Sequence, residues 1–343
     1  MTSHRVAFRR LNDIDTGYFE IKDPSVVKAP DGSYFMFATL GTEKDKPWCV
    51  GRFKADHPGG PWQELEPTVI TNIAGPEVVA PAVVLNAKGE WEMFIQTSCF
   101  STTGVIAQAV SLDGRNFHGA ALPAMTKDDV PQGPVPVVSL YDVALSDIRL
   151  NGRDYDCMTF SGYRSLGCGD VYVSLREKGT ECWEAPQLAL KQEDVPFHNK
   201  PGTPNYEWGL EGAKVVQLAD DLFLMVGVAF LDKELTERGT RQRVFFAASR
   251  TPNGPFEPME TPIDPTAYPE GTGENGHPDT IDLGDKIGLL YQERAGEGKD
   301  KPWHLRYTEF DKDDLIARMQ AKLAPPAPIA PYIPPQPPRP HCP

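Results

Sequence analysis

Three carboxylates and one histidine stand at comparable positions in repeated segments of this sequence. Each of five segments starts a strand-like run that leads to a turn, and the starting residues are Asp23, Ala80, Asp142, Glu211 and His277. The first four precede their turns by nine or ten residues, so the repeats align by position and not by a choice of acids. Carboxylates gathered near a histidine can perform general acid–base chemistry. These residues could act together only in a fold that brings the five strand starts close to one another.

The first repeat shows how such a segment is built. Residues 19–38 read FEIKDPSVVKAPDGSYFMFA, with apolar runs on both sides of Asp31-Gly32. Two such runs joined by an Asp-Gly turn are typical of a β-hairpin, and Asp23 begins its first strand. The turns of the later repeats lie at Gly89, Gly152, Asp220 and Gly284.

A third strand follows each hairpin, often ending in a Gly-Pro-aromatic turn such as Gly60-Pro61-Trp62 or Gly254-Pro255-Phe256. Units of three or four antiparallel strands that cannot bury both faces alone stack radially into a β-propeller. We therefore predict an all-β fold, a five-bladed β-propeller over residues 1–310, with blades starting near residues 19, 77, 138, 208 and 274. The inner strands of a propeller start near its axis at one face, so the acids and His277 should converge there.

Two further segments follow the predicted propeller. Residues 311–323 have apolar residues at helical spacing and acids in the first turn, which predicts a short C-terminal helix. Residues 324–343 are dense in proline, which predicts a disordered or polyproline II tail. The segment Pro335-Gln336-Pro337-Pro338-Arg339 is a candidate for binding a partner with an aromatic-lined groove.

Charge and hydropathy limit the classes of partner. The formal net charge is −14 and the isoelectric point is about 5.0, whereas proteins that bind nucleic acids or anionic membranes present basic surfaces. The sequence contains no apolar run of 18 residues, so no membrane-spanning helix is predicted. These features favour a small neutral or cationic partner over a nucleic acid or a membrane.

The cysteines and the N-terminus bear on the compartment. None of the six cysteines is paired at C-x-x-C spacing, so neither a zinc site nor a disulfide framework is predicted. The N-terminal residues lack the apolar segment of a signal peptide. Both features favour a cytoplasmic location, or secretion if a signal has been trimmed from the chain.

The ordered set of strand starts resembles the five-bladed β-propeller glycoside hydrolases of family 43 and their relatives. The resemblance covers about residues 15–310 and rests on IKDPSVV, APAVV, YDVAL, EGAKVV and GHPDTI, with the GPW and GPFEP turns. It implies that Asp23 is the general base, that Asp142 tunes pKa values and orientation, and that Glu211 is the general acid. It also implies that His277 supports a central water or calcium ion, and that no other cofactor is required.

This set matches the chemistry of inverting glycosidases. One carboxylate activates a water, and a protonated one donates to the leaving oxygen, about 6.5–9.5 Å away. A third carboxylate nearby keeps the acid protonated by like-charge repulsion. The candidates for substrate binding are His277, Arg294, Trp208, Tyr141, Glu77 and Asp147. Asp147 is also the alternative to Asp142 as the third acid, although its distance to the turn matches the other repeats less well.

The expected function is hydrolysis of a glycoside of a terminal pentose or related sugar, as in an α-L-arabinofuranosidase or a β-xylosidase. Two alternatives stay open at this point. One is non-hydrolytic chemistry, such as transfer or phosphorolysis, on the same fold. The other is a non-catalytic propeller that binds carbohydrate or serves as a scaffold, in which the acids at the mouth would be dispensable.

Overall fold

A computed structural model describes residues 9–10, 20–41, 48–73, 78–97, 104–164, 169–195, 209–231, 241–261, 274–294 and 302–323. The strands are β1 Arg9–Arg10, β2 Glu20–Lys28, β3 Tyr34–Gly41, β4 Cys49–Ala55, β5 Gln63–Leu65, β6 Val69–Thr71, β7 Val78–Leu85, β8 Trp91–Thr97, β9 Val105–Ser111, β10 Asn116–Gly119, β11 Ser139–Leu150, β12 Arg153–Tyr163, β13 Gly169–Glu177, β14 Gln187–Leu190, β15 Glu211–Ala219, β16 Leu222–Leu231, β17 Arg241–Ser249, β18 Glu257–Met259, β19 Glu274–Asp282, β20 Lys286–Arg294 and β21 His304–Asp311; the helix α1 is Lys312–Lys322.

The strands form five sheets, which are the blades of the predicted propeller. Blade one is β2-β3-β4-β5, blade three is β11-β12-β13-β14 and blade four is β15-β16-β17-β18. Blade two is β7-β8-β9-β10, and β6 adds a fifth strand parallel to β10. Blade five is β19-β20-β21, completed by β1 from the N-terminal part of the chain. The fold prediction is confirmed.

The first hairpin forms where the sequence predicts it. Gly32 has φ +87°, a conformation that glycine adopts without steric cost. The Asp31 carboxylate accepts hydrogen bonds from the Ser33 backbone N–H at 2.9 Å and from the Ser33 hydroxyl at 2.5 Å. Short polar side chains that bond the backbone two residues on are a common way to fix a turn.

The hydrophobic core is divided among the interfaces between neighbouring blades. Five clusters of buried side chains join blades one and two, two and three, three and four, four and five, and five and one. Strands in the middle of a blade are therefore covered on both faces, as in β8, where all seven residues are buried. The same packing fixes how adjacent inner strands lie at the axis.

The helix α1 closes one of these interfaces. Asp311 caps its N-terminus by accepting a hydrogen bond from the Asp314 N–H at 3.0 Å. Leu315 and Met319 are buried against blades four and five. The predicted helix is confirmed, while the proline-rich segment 324–343 lies outside the described residues. No helix in the described part of the chain is long and apolar enough to cross a membrane.

Candidate active site

Every inner strand has a bulge at the same place. The unpaired residues in the five blades are Asp23-Pro24, Ala80-Pro81, Asp142-Val143, Gly212-Ala213 and His277-Pro278. The first residue of each pair has a positive φ, between +39° and +51°. Proline fits the second position because that N–H has no ladder partner to bond. These bulges turn five equivalent residues toward the axis.

Side chains of neighbouring blades hold these bulges. The Asp23 N–H donates to Gln292 Oε1 at 3.0 Å, and the Asp142 N–H donates to Gln96 Oε1 at 2.7 Å. The Ala80 N–H donates to Thr39 Oγ1 at 2.9 Å. These bonds satisfy N–H groups that the ladder leaves unpaired, and they help the strained backbone to persist.

Blade four corrects the alignment of the strand starts. The prediction made Glu211 the equivalent of Asp23, but Gly212 occupies the bulge position and Glu211 is still paired with Val228. The offset to the turn misled because Gly212 lies only eight residues before Asp220, whereas the bulges of blades one to three lie nine or ten residues before their turns. Glu211 nevertheless reaches the mouth from one position earlier in its strand.

His277 lies between two of the carboxylates. Its Nδ1 is 3.4 Å from Asp23 Oδ1, and its Nε2 is 3.4 Å from Glu211 Oε2. Gly212 leaves room for the ring, since a Cβ at that position would lie 2.9 Å from His277 Nδ1. Ligand atoms of Asp142, Glu211 and His277 all lie within 4.8 Å of one another. The structure thus brings the three predicted acids and His277 together.

Tyr163 and Tyr141 form the wall beside Glu211. The Tyr163 hydroxyl donates a short hydrogen bond to Glu211 Oε1. The rings of Tyr141 and Tyr163 contact edge to face, with centroids 4.7 Å apart. Since Nε2 of His277 faces the other oxygen, both Glu211 oxygens have polar neighbours.

The titration of the mouth follows from burial and charge. Burial raises the pKa of Asp142 to about 7, and the charges of Glu211 and Asp23 add to the rise against the opposing effect of His277. Burial opposes protonation of His277, but the carboxylates of Asp142, Asp23 and Glu211 outweigh it and raise its pKa to about 9. Burial and the same acids raise the pKa of Tyr163 well above its usual value. The mouth therefore retains protons near neutral pH.

The bulge residues line one cavity on the propeller axis. The cavity is partly open to solvent, and Asp23, Ala80, Asp142, Gly212 and His277 all line it. Asp142, Glu211 and His277 are close enough to share a cation. Asp142 and Glu211 are also two of the three predicted acids, so a shared ion would occupy groups that are expected to carry protons.

The remaining predicted site residues have different positions. Arg294 lies at the mouth end of β20, where it pairs with Glu274 at 2.5 Å and stacks 4.3 Å from the Trp303 ring centroid. Asp147 does not lie at the mouth; it is five residues further toward the turn, 69% exposed, and pairs with Lys178. That expectation is corrected, because the strand carries Asp147 away from the axis. Glu77 and Trp208 lie outside the described residues.

Sequence reasoning missed two site residues. Tyr163 pairs with Ser139 at the mouth end of blade three, and counting forward along β12 from the Asn151-Gly152 turn would have found it. Lys22 precedes Asp23, with its Nζ 3.7 Å from the Asp23 carboxylate and 3.8 Å from the Trp48 ring centroid. In the sequence, the position of Lys22 next to Asp23 was the signal that could have identified it.

Comparisons with known proteins support the fold. No family profile matches the chain, and no curated relative matches it. An endo-arabinase from Bacteroides thetaiotaomicron VPI-5482 has a similar structure, with TM-score 0.61, 16% identity, and coverage of 89% of this chain and 97% of that one. The catalytic domain of a Coprinopsis cinerea GH62 α-L-arabinofuranosidase is similar too, with TM-score 0.56, 16% identity, and coverage of 90% of this chain and 97% of that one. A GH62 hydrolase in complex with xylotriose is also similar, with TM-score 0.58, 15% identity, and coverage of 89% of this chain and 95% of that one. The chain has the fold of these glycoside hydrolases.

Proposed function

We propose that this protein is an inverting glycoside hydrolase that acts on a terminal pentose or a related sugar. The observation that carries the proposal is the gathering of Asp23, Asp142 and Glu211, from three different blades, around His277. Asp23, Asp142 and His277 also line the axial cavity. Similar solved structures include arabinose- and xylose-related hydrolases, which supports the choice of sugar class.

Asp23 and Glu211 lie on opposite sides of the His277 ring and have different roles in the proposed reaction. Asp23 takes a proton from a water whose oxygen attacks the anomeric carbon, while the glycosidic C–O bond breaks and Glu211 gives its proton to the leaving oxygen. Inversion needs these two carboxyls roughly 6.5–9.5 Å apart so that the water fits between them. Asp23 and Glu211 face opposite nitrogens of one ring, each at 3.4 Å, which supports such a separation.

Asp142 and His277 hold the protons of the cluster near neutral pH. Near neutrality His277 is charged and Asp142 is close to its midpoint, so protons are shared within the cluster. His277 faces Glu211, and a proton passed from the imidazolium to Glu211 produces the neutral acid that the leaving oxygen requires.

Hydrolysis of nitrophenyl α-L-arabinofuranoside and β-xyloside tests the proposal. We expect Glu211→Gln and Asp23→Asn to lower kcat by about 10²- to 10⁴-fold, the usual contribution of a general acid or base. The matched control is Asp147→Asn, an acid on the inner strand of blade three that is exposed and away from the mouth. NMR of the first-formed anomer measures inversion.

Several results would contradict this function. An active protein whose Glu211→Gln and Asp23→Asn variants keep the wild-type rate would sink the residue assignment. Retention of anomeric configuration would exclude the inverting pathway. Saturable sugar binding without turnover would favour the non-catalytic propeller, and turnover that depends on added phosphate would favour phosphorolysis.

A further inference from the structure

A second ring of residues lies directly beneath the mouth. These are the first residues after each bulge that rejoin the ladder: Ser25, Ala82, Ala144, Lys214 and Asp279. All five line the axial cavity. The ring therefore combines two methyl groups, one hydroxyl, one ammonium and one carboxylate, and its only two charges within the described residues have opposite sign.

Those two charges form a buried pair. The Lys214 ammonium donates a short hydrogen bond to Asp279 Oδ1 and a second bond to the Thr280 carbonyl at 3.1 Å. Lys214 is 8% exposed and Asp279 is 3% exposed. Asp279 Oδ1 also accepts from the Thr280 N–H at 2.8 Å, and Oδ2 accepts from the Val26 N–H at 2.5 Å. The pair thus connects blade four to blade five, and through Val26 to blade one.

This ring does not offer the donors that calcium needs. Calcium takes six to eight oxygen ligands, usually with several carboxylates. Here Asp279 is the one carboxylate, and both of its oxygens already accept hydrogen bonds. The Ser25 hydroxyl accepts from the Val83 N–H at 2.9 Å. Ala82 and Ala144 contribute no oxygen from their side chains, and the Lys214 ammonium repels a second cation.

We propose that Lys214 is the resident cation of the central channel and that the channel takes no calcium. The ammonium neutralises Asp279 and fixes three blades around the axis, which is what a bound metal ion would do there. The calcium that the fold resemblance implies under His277 is therefore replaced by a side chain. This inference concerns binding and stability, so it holds or fails independently of the proposed hydrolase activity.

Calcium titration of the wild-type protein is the first test. We expect no saturable heat in isothermal titration calorimetry, and the same Tm in calcium and in a chelator such as EGTA. A ligand that binds only the folded state raises Tm in a concentration-dependent way. Saturable calcium binding with a rise in Tm that the chelator reverses would overturn the proposal.

A double-mutant cycle tests the role of Lys214. Lys214→Met removes the ammonium and leaves Asp279 charged and buried, so we expect a clear loss of Tm. Adding Asp279→Asn removes that charge, and the double variant should regain part of the loss. A single variant that fails to fold still allows the test, because recovery of folding in the double variant is the same signal.

Lys54 and Asp31 provide the matched control. They form a lysine–aspartate pair of the same chemistry at 3.3 Å, with side chains 38% and 60% exposed. We expect Lys54→Met and Lys54→Met/Asp31→Asn to leave Tm close to wild type, since exposed pairs contribute little. If Lys214→Met behaves like Lys54→Met, or if Asp279→Asn brings no recovery, Lys214 is not the resident cation.

Discussion

Blade two and blade three share one backbone geometry at the mouth but differ in what they contribute to it. Ala80 and Asp142 have φ values of +50° and +47°, and both N–H groups donate to a side chain of the preceding blade. Asp142 adds a buried carboxyl to the cluster, whereas Ala80 adds a methyl group. The strained bulge is therefore a property of the propeller, and the chemistry depends on which side chain it carries.

The substitution Asp142→Ala tests this difference most directly, because it gives the bulge of blade three the side chain that blade two has at the same position. We expect kcat of the proposed hydrolase to fall about 100-fold or more, the lower range for a group that controls proton transfer, while circular dichroism stays unchanged because alanine already occupies this backbone position in blade two. Loss of folded signal would show that the Asp142 side chain, and not only the bulge, holds blade three.

Blade four sharpens the comparison because glycine stands at its bulge. Gly212→Ala places a Cβ 2.9 Å from His277 Nδ1 and adds backbone strain, so we expect a loss of about 1–3 kcal/mol in the free energy of unfolding. Ala80→Gly is the reverse exchange at an equivalent bulge. Urea denaturation measures both, and an unperturbed Gly212→Ala would mean that His277 has room to move.

The pH dependence of the free energy of unfolding distinguishes bulges with a titratable side chain, such as Asp142 and His277, from the bulge at Ala80. The folded-state pKa values of Asp142 and His277, about 7 and about 9, both exceed the ordinary values of 3.8 and 6.5. A raised pKa gives stability at low pH that is lost as pH rises through the folded value. The free energy of unfolding should therefore fall between about pH 4 and 7 from Asp142, and between about pH 6.5 and 9 from His277.

Urea unfolding at a series of pH values checks this expectation against Asp142→Ala. The variant should lack the decline between about pH 4 and 7 that Asp142 causes in the wild type. Its decline at higher pH should also weaken, because the Asp142 carboxylate is the first of the charges that raise the pKa of His277. Parallel profiles for the two proteins would refute the assignment.

The smallest effect is expected for Ala80→Gly. Glycine relieves the positive φ but loses more backbone entropy on folding, so the free energy of unfolding should change by less than about 1 kcal/mol. Activity should stay at the wild-type level, since Ala80 supplies no polar side chain. A large loss of activity would mean that blade two contributes to the site through its backbone.

The sequence predicted the blades well because their signals are local. Alternating or continuous apolar runs separated by Gly32, Gly89 and Gly152 define hairpins without reference to the rest of the chain. The mouth acids followed from the same repeats, since equivalent strands of a propeller start at one face. Asp23, Asp142 and His277, which the repeats aligned as strand starts, occupy equivalent bulges in the structure.

Features that depend on pairing between distant segments were not predicted. In β15 the bulge begins one residue after Glu211, closer to its turn than the bulges of blades one to three. The Lys214–Asp279 pair joins two blades, so neither residue alone indicates the contact. The short strand β1 has only the residues Arg9–Arg10, which carry no apolar pattern.

That short strand has a consequence for how the protein is made. Arg9 pairs with Tyr307, so β1, which precedes the other described strands in the chain, completes a sheet with β21, which follows them. Until β21 has been synthesised, β20 presents an unpaired edge that could join a neighbouring chain. The axial cavity also needs His277 from blade five. The mouth is therefore complete only after blade five has been synthesised, and a chain truncated before β21 should be prone to aggregate.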